Sequence, residues 1–262
     1  MSKALVFERR VLLPVSAQVA FDWHERSGAF QRLAPPWEAI EIVSQTGGIK
    51  DGGRAELRMP VGPFKQTWIA EHSGYRSGEQ FRDIQVKGPF ARFEHTHKFT
   101  PQDRESCWLT DHIEYEPPLG VLGRWFGGPI IRSKLDRVFR YRHRITAADL
   151  AATSSSSEKY TMKILITGAT GLVGKELGPL LTTSGHEVFR LVRSNPSDAN
   201  DIPWDPAQGV VHKARLDGLD GVVHLAGENI AGARWSAAVK QRIRDSRVVG
   251  TRLLCETLAS LE

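Results

Sequence analysis

The sequence predicts two domains of different structural class, an α+β domain followed by an α/β domain. The first part of the chain reads as successive strands with Gly and Pro at their ends, closed by one long helix, whereas short apolar strands alternate with helices in the second part. Four consecutive serines, Ser154 to Ser157, separate the two patterns. We therefore expect one domain at residues 1–147, a flexible Ser-rich linker at 148–161 and a second domain at 162–262.

The composition is that of a folded soluble protein. Hydrophobic residues make up 40% and charged residues 25% of the 262 residues, which excludes disordered and fibrous chains. No apolar run reaches the roughly 18 residues of a membrane span, and the first residues lack the apolar stretch of a signal peptide. The two cysteines, Cys107 and Cys255, lie far apart, so we expect neither a disulfide scaffold nor a zinc site and predict a cytoplasmic location.

The net charge of +5 is concentrated in one segment. Seven basic side chains and one acid lie between Arg124 and Arg144, where Ile131, Leu135 and Val138 recur at helical spacing. A solvated basic helix face explains this pattern better than nucleic-acid binding, because no zinc-finger spacing or aromatic–basic motif accompanies it. We expect no nucleic-acid partner, and the sequence leaves self-association open.

The first domain begins with a strand, Ala4–Leu13, and a helix, Ser16–Arg26, for which Ser16 is a suitable N-cap. A short second helix is predicted over Ala29–Leu33, and Gly127-Gly128-Pro129 opens the long final helix. Between them, Gly and Pro residues delimit six predicted strands: Ala39–Gln45, Arg54–Pro60, Lys65–Gly74, Gln80–Val86, Arg92–Phe99 and Cys107–Tyr115.

Gly88-Pro89-Phe90, followed by the run from Phe93 to Phe99, resembles a motif of the START-like superfamily of polyketide-cyclase or helix-grip domains. The resemblance covers about residues 3–147. It implies a curved antiparallel sheet that grips the long C-terminal helix and encloses a cavity. Members of this superfamily hold lipids, polyketides or other small apolar molecules, and many catalyse no reaction.

Alternation along one strand places Phe93, His95, His97 and Phe99 on the same face of the sheet, where they are candidates for lining that cavity. Two histidines two residues apart can also bind a metal, with His112 of the next strand as a conjectural third ligand. The remaining interpretation is that both histidines are ordinary, partly buried polar residues. Because the spacing indicates no third ligand, we predict no metal site.

The strongest motif follows a short apolar strand, Lys163–Thr167. It consists of Gly168-Ala169-Thr170-Gly171-Leu172-Val173-Gly174 and leads into a helix and a second strand, Glu187–Val192. This order predicts the first half of a Rossmann-type parallel sheet. The glycines allow a tight turn and let backbone N–H groups approach a pyrophosphate at the positive end of the helix. All seven residues of this loop are candidate cofactor contacts.

The end of the second strand indicates the cofactor. An NAD site carries an acidic residue about 20 residues beyond the glycines, but Val192-Arg193 offers none. The guanidinium of Arg193 can instead pair with a 2′-phosphate, which favours NADP over NAD; the alternative is a solvated loop residue. Further strands are predicted at Asp201–Trp204 and Gly221–Leu225, and the small residues of Leu225-Ala226-Gly227 allow a close approach to the nucleotide.

The spacing Gly168-x-x-Gly171-x-x-Gly174 after a threonine is similar to that of the short-chain dehydrogenase/reductase superfamily. With His224–Ile230 and Ser246-Arg247, it resembles the atypical, sugar-nucleotide-epimerase-like branch over about residues 162–259. Members of that branch also occur fused behind a START-like domain. The resemblance implies NADP contacts from the glycine loop, Val192, Arg193, Leu225, Ala226, Arg242 and Arg247.

The chemistry of this superfamily uses a Tyr-x-x-x-Lys pair, in which lysine lowers the pKa of tyrosine. The four tyrosines, Tyr75, Tyr115, Tyr141 and Tyr160, all precede the glycine loop. We therefore assign no catalytic residue and expect a C-terminally truncated, incomplete Rossmann sheet that does not catalyse the family's reaction alone. The complete protein is either an NADP-dependent oxidoreductase or epimerase supplied with an apolar substrate, or a non-catalytic regulatory module that binds NADP and a small molecule.

Overall fold

The computed structural model describes residues 4–61, 64–118, 120, 123–154, 160–193, 196 and 198–261. The chain divides into two compact units, residues 1–157 and 158–262. The first is an α+β unit with a large antiparallel sheet, and the second is an α/β unit with a mainly parallel sheet. The predicted fold class is confirmed.

The first unit starts with strand β1 (Leu5–Leu13) and helices α1 (Ala17–Glu25) and α2 (Ala29–Leu33). A π-helical turn at Gly123–Gly127 precedes the long helix α3 (Gly128–Ser154). Between α2 and that turn lie strands β2 (Glu41–Thr46), β3 (Arg54–Val61), β4 (Phe64–Arg76), β5 (Gln80–Lys87), β6 (Arg92–Pro101) and β7 (Cys107–Glu116). The sheet has the order β1-β7-β6-β5-β4-β3-β2, with antiparallel pairing throughout.

Local sequence explains these elements. Ser16 caps α1 because its hydroxyl accepts a hydrogen bond from the backbone N–H of Val19 at 3.4 Å. Buried and less buried residues alternate along β6 and β7, as expected for strands with one face on the core. One core cluster packs around α1 and includes Phe21 and Trp23, and a second contains Phe93 and Phe139.

Helix α3 extends further than the sequence indicated. Residues 148–154 of the predicted linker are helical, and residues 155–159 lie outside the described residues. Asp149 and Leu150 are buried. Asp149 forms a two-point ion pair with Arg32 of α2, at 2.9 Å from Nε and 2.7 Å from Nη2. This contact and the burial of Leu150 explain why the helix continues past residue 147.

The second unit has the order expected for the first half of a Rossmann fold. The elements are β8 (Lys163–Thr167), α4 (Gly174–Thr183), β9 (Glu187–Val192), β10 (Asp201–Asp205), β11 (Val210–Val211), β12 (Gly221–His224) and α5 (Ala237–Leu258). The sheet has the order β11-β10-β9-β8-β12, in which all neighbours are parallel except β10 and β11. A 3₁₀ turn at Lys213–Arg215 and the two-residue strand β11 were not predicted from sequence.

Among the described residues, no helix combines the length and apolar character needed to cross a membrane.

Candidate functional sites

The first candidate site is the glycine loop, residues 168–174, at the C-terminal edge of the parallel sheet. Gly168 has a φ of 69°, and a Cβ there would lie 2.8 Å from Ala226 N. A Cβ at Gly174 would lie 2.6 Å from Ala169 Cα and closer still to the Gly168 carbonyl. Backbone contacts within the unit therefore require glycine at both positions.

A buried hydroxyl connects this loop to the segment Leu225–Ile230, here called the β12 loop. Thr167 Oγ1 accepts hydrogen bonds from the N–H groups of Leu225 and Ala226, at 3.1 and 3.0 Å. It also lies 2.6 Å from His224 Nδ1. Because both of its lone pairs are used, the hydroxyl donates its own proton to His224. Burial lowers the pKa of His224, which agrees with a neutral imidazole that accepts this proton.

The glycine loop leaves the start of α4 open to solvent. Leu172 and Val173 are 90% and 59% exposed. Val173 occupies the N-cap position of α4 and has no side-chain oxygen with which to cap the helix. A helix N-terminus without a side-chain cap carries partial positive charge, which suits a phosphate.

Parallel pairing brings the other predicted cofactor residues to the same edge. Thr167 is paired with Leu191 of β9 and with His224 of β12, so Val192-Arg193 and Leu225-Ala226 both continue from strand ends beside the glycine loop. Arg193 is exposed. This edge is where nucleotides bind in open α/β sheets.

Helix α5 contributes the last predicted residues. Ser246 Oγ accepts a hydrogen bond from the N–H of Glu228 at 2.9 Å. Arg247 Nη1 donates to the Glu228 carbonyl at 3.3 Å, and Arg242 Nε lies 3.7 Å from the Glu228 carboxylate. A Cβ at Gly227 would lie 3.4 Å from the Arg247 guanidinium carbon. Both predicted arginines therefore lie against the β12 loop.

The second candidate site is a cavity of about 910 Å³ in the first unit. Ligand pockets commonly have this size and combine apolar walls with a few polar groups. Strands β3 to β6 and helices α2 and α3 contribute its lining. Its apolar wall includes Leu57, Met59, Trp68, Phe90, Phe93 and Val138.

A histidine–aspartate cluster forms the polar wall of this cavity. Asp83 of β5 is the direct cross-strand partner of His72 and of His95, and His97 is the partner of Asp111 on β7. His95 Nε2 donates to Asp111 Oδ1 at 2.8 Å. The same carboxylate accepts a hydrogen bond from Nε2 of His143 of α3 at 2.5 Å.

Interactions between the charged side chains determine the protonation states in this cluster. Burial alone would lower the pKa of His97, but the carboxylates of Asp111 and Asp83 raise it to about 9. Burial would raise the pKa of both aspartates, yet the surrounding histidines hold both well below their usual range. His24, which also lines the cavity, has a pKa lowered to about 4 by burial and by the neighbouring His97. The cluster thus holds two carboxylates beside at least one imidazolium.

The four predicted lining residues have different positions. Phe93, His95 and His97 line the cavity. Phe99 lies instead in the core around α1, where its ring packs edge-on against Phe21 at 5.4 Å. It belongs to the end of β6 that α1 covers, and alternation along a strand does not show where a cavity ends.

His112, the conjectural metal ligand, lies apart from the cluster. It pairs across the strands with Thr96, on the sheet face opposite His95 and His97. Its Nδ1 lies 3.0 Å from Glu8 Oε2. Sequence reasoning missed Asp83, whose place beside His95 depends on the β5–β6 register.

Two family models match the chain, one in each unit. Residues 13–139 match "Polyketide cyclase / dehydrase and lipid transport", and residues 164–262 match "NAD dependent epimerase/dehydratase family". The first unit is therefore similar to START-like polyketide-cyclase domains and the second to NAD-dependent epimerase domains. Both matches confirm the resemblances found in the sequence.

Curated relatives match the second unit. An epimerase family protein of Mycobacterium tuberculosis is 40% identical over 96 residues, which cover 37% of this chain and 32% of the relative. The human epimerase family protein SDR39U1 is 35% identical over 99 residues, with coverage of 37% and 32%. The chain spans about one third of the length of these relatives.

One solved structure resembles almost the whole chain. The nucleoside-diphosphate sugar epimerase from Corynebacterium glutamicum aligns with a TM-score of 0.78 and 31% sequence identity. The alignment covers 97% of this chain and 51% of that chain. This similarity extends over both units and supports the fold assigned to each.

Proposed function

We propose that the protein binds NADP(H) at the glycine loop and holds a small apolar molecule in the cavity of its START-like domain. The observation that carries the cofactor assignment is the meeting of the glycine loop, Arg193 and the β12 loop at one sheet edge. When bound, the nicotinamide supplies hydride transfer. In this proposal the complete protein is an oxidoreductase or epimerase, and the START-like domain captures or delivers its apolar substrate.

The residues present fit a dinucleotide. A Cβ at Gly171 would meet the Gly168 carbonyl oxygen at 3.2 Å and would otherwise project from an exposed part of the loop. Internal packing therefore opposes a side chain at Gly171 much less than at Gly168 or Gly174. A pyrophosphate that approaches the backbone here gives a separate reason for glycine at this position.

The second candidate function is a non-catalytic module that binds NADP and a small molecule for regulation. Absence of a Tyr-x-x-x-Lys pair from the complete protein would favour this module. A Tyr-x-x-x-Lys pair in the complete protein would favour the enzyme. Mass spectrometry of small molecules that co-purify with the protein would identify the occupant of the cavity under either function.

Ion pairing supports the prediction that the basic helix does not bind nucleic acid. Lys134 and Arg137 both pair with Glu38, and Asp136 pairs with Arg9 and Arg140. Lys134, Arg137 and Arg140 of α3 therefore have carboxylate partners within the unit. Self-association and the cytoplasmic location stay predictions.

Arg193→Ala tests the cofactor assignment. We expect wild-type protein to bind NADP⁺ more tightly than NAD⁺, and the variant to lose most of that preference, since a charge-assisted hydrogen bond contributes about 1.5–3 kcal/mol. Calorimetric titration of both dinucleotides measures the difference. Arg252→Ala, at an exposed arginine of α5, is the matched control and should keep the wild-type preference. Equal affinities of the wild-type protein for the two dinucleotides would contradict the proposal.

A further inference from the structure

We propose that Asp83, His95 and His97 bind a divalent transition-metal ion in the wall of the cavity. The three side chains offer two imidazole nitrogens and one carboxylate oxygen, all within 4.8 Å of one another. This ligand set is typical of Zn²⁺ and Fe²⁺ sites that keep coordination positions open. The proposal adds a metal centre to the START-like domain and does not depend on the bound dinucleotide.

The distances between the ligand atoms fit one ion. Asp83 Oδ2 lies 3.4 Å from His95 Nδ1 and 3.4 Å from His97 Nε2. Both separations exceed the 2.9–3.0 Å typical of a hydrogen bond. A tetrahedral ion with bonds of about 2.1 Å separates its ligand atoms by roughly 3.4 Å. The two separations from Asp83 therefore match an ion, and the ligand atoms of His95 and His97 lie within 4.8 Å of one another.

The outer contacts of the histidines support the same assignment. The hydrogen bond from His95 Nε2 to Asp111 places the proton on that nitrogen and leaves the Nδ1 lone pair facing Asp83. His97 Nδ1 lies 2.8 Å from the same Asp111 oxygen, although without the alignment of a hydrogen bond. Histidines that bind metals usually direct their second nitrogen at a carboxylate, as His95 does here. His143 in turn holds the other oxygen of Asp111.

The surroundings favour a cation. Two carboxylates, Asp83 and Asp111, lie within one cluster whose neighbours include aromatic rings. The Phe81 ring stacks on His97 at 4.2 Å, and Phe139 meets His95 edge-on at 5.1 Å. The two carboxylates offset the charge of an ion bound where both histidines and Asp83 converge, in place of the imidazolium that otherwise balances them.

The position of the ligands indicates what the ion would contact. Asp83, His95 and His97 line the cavity, whereas Asp111 lies behind them, buried to 98%. The open positions of the ion therefore face the cavity. We infer that the preferred occupant is an apolar molecule with an oxygen donor, such as a carbonyl or hydroxyl group, that completes the coordination.

The test is titration of the chelator-treated 262-residue chain with Zn²⁺ by calorimetry and with Co²⁺ by visible absorption. We expect saturable binding of one equivalent at micromolar or lower concentration, with Co²⁺ bands of the intensity that four- or five-coordinate sites give. Asp83→Asn keeps the shape of the side chain and removes its charge. Loss of a residue that only hydrogen-bonds a metal ligand typically weakens metal binding about 10–100-fold. Asp83→Asn should weaken Zn²⁺ binding by more than this.

His112→Gln is the matched control, because it removes an exposed histidine from the neighbouring strand. It should bind Zn²⁺ as the wild type does. Wild-type affinity in Asp83→Asn, or equal loss in His112→Gln, would overturn the site. If Asp83→Asn does not fold by circular dichroism, the wild-type titration decides: no stoichiometric Zn²⁺ binding, or a six-coordinate Co²⁺ spectrum, would overturn the proposal.

Discussion

A loop can require glycine because its own structure leaves no room for a side chain or because a ligand approaches its backbone, and Gly171 illustrates the second reason. Gly168 is required by the backbone of the β12 loop and Gly174 by the backbone of the glycine loop itself, whereas Gly171 faces mild internal contact. We predict that Gly171→Val lowers NADP(H) affinity about tenfold or more, equivalent to about 1.4 kcal/mol. The free energy of unfolding should change by less than about 1 kcal/mol. Calorimetry and urea unfolding measure the two quantities.

Gly178→Ala is the control for that variant. Gly178 lies inside α4, and a Cβ there would meet no atom within 4 Å. Alanine should leave cofactor affinity unchanged, and because Pro179 follows this position, we expect no gain in helix stability. Normal NADP(H) binding by Gly171→Val would show that the phosphates do not lie against this part of the loop.

Thr167 is the residue on which the contact between the two cofactor loops depends. Thr167→Val keeps the side-chain shape but removes the acceptor for two N–H groups and the donor to His224. We predict a loss of about 1–3 kcal/mol, the typical cost of leaving buried polar groups unpaired. Hydrogen exchange should be faster at the Ala226 amide, whereas Thr170→Val, at an exposed position of the glycine loop, should leave that rate unchanged.

At the scale of single residues, sequence predicted what depends on local pattern. The glycine loop lies between β8 and α4 and Arg193 follows β9, as the motif predicts. The arginines of α5, which the family resemblance indicates, lie against the β12 loop, and the role of all these residues as cofactor contacts stays a prediction. The cluster around His95 was only half predicted, because Asp83 precedes it by 12 positions and meets it through strand pairing. Spacing along the chain does not determine the register between strands. The sequence alone therefore does not show that Asp83 belongs to the cluster or that His112 lies outside it.

At the scale of elements, the ion pair between α2 and α3 holds the end of the long helix. Asp149→Ala leaves the Arg32 guanidinium in a buried position without this carboxylate, and we predict a loss of about 3–5 kcal/mol in unfolding free energy. Replacing both partners, Arg32→Met with Asp149→Leu, should recover most of that loss. Asp136→Ala, at a more exposed pair on the same helix, should cost about 1 kcal/mol or less. Chemical denaturation of the wild type and these three variants measures the differences in unfolding free energy.

Helix α3 shows why element ends are harder to predict than element types. Its start and its apolar stripe follow from Pro129 and from helical spacing. The sequence predicts a linker over residues 148–154, because Ala147–Ser154 is rich in small and polar residues. Alanine is nevertheless the best helix former, and burial of Leu150 gives the segment a partner that composition does not reveal.

At the scale of the whole molecule, the two compact units have separate core clusters. We predict that a fragment of residues 1–154 folds alone, with the circular dichroism of an α+β domain and a cooperative thermal transition. A fragment of residues 1–147 lacks Asp149 and Leu150. It should melt at a lower temperature, because burial of one leucine contributes about 1.5–3 kcal/mol. Equal melting temperatures for the two fragments would contradict the role assigned to the last turn of α3.

The cross-strand row His72–Asp83–His95 also has a consequence for the alignment of β4, β5 and β6 during folding. A slip of β6 by one residue would turn His95 and His97 to the outer face and bury Glu94, Thr96 and Lys98 beneath α1 and α3. Asp83 and Asp111 would then lose His95 and His97 as partners. The cluster thereby penalises a one-residue slip of β6 and favours the native alignment while the chain folds.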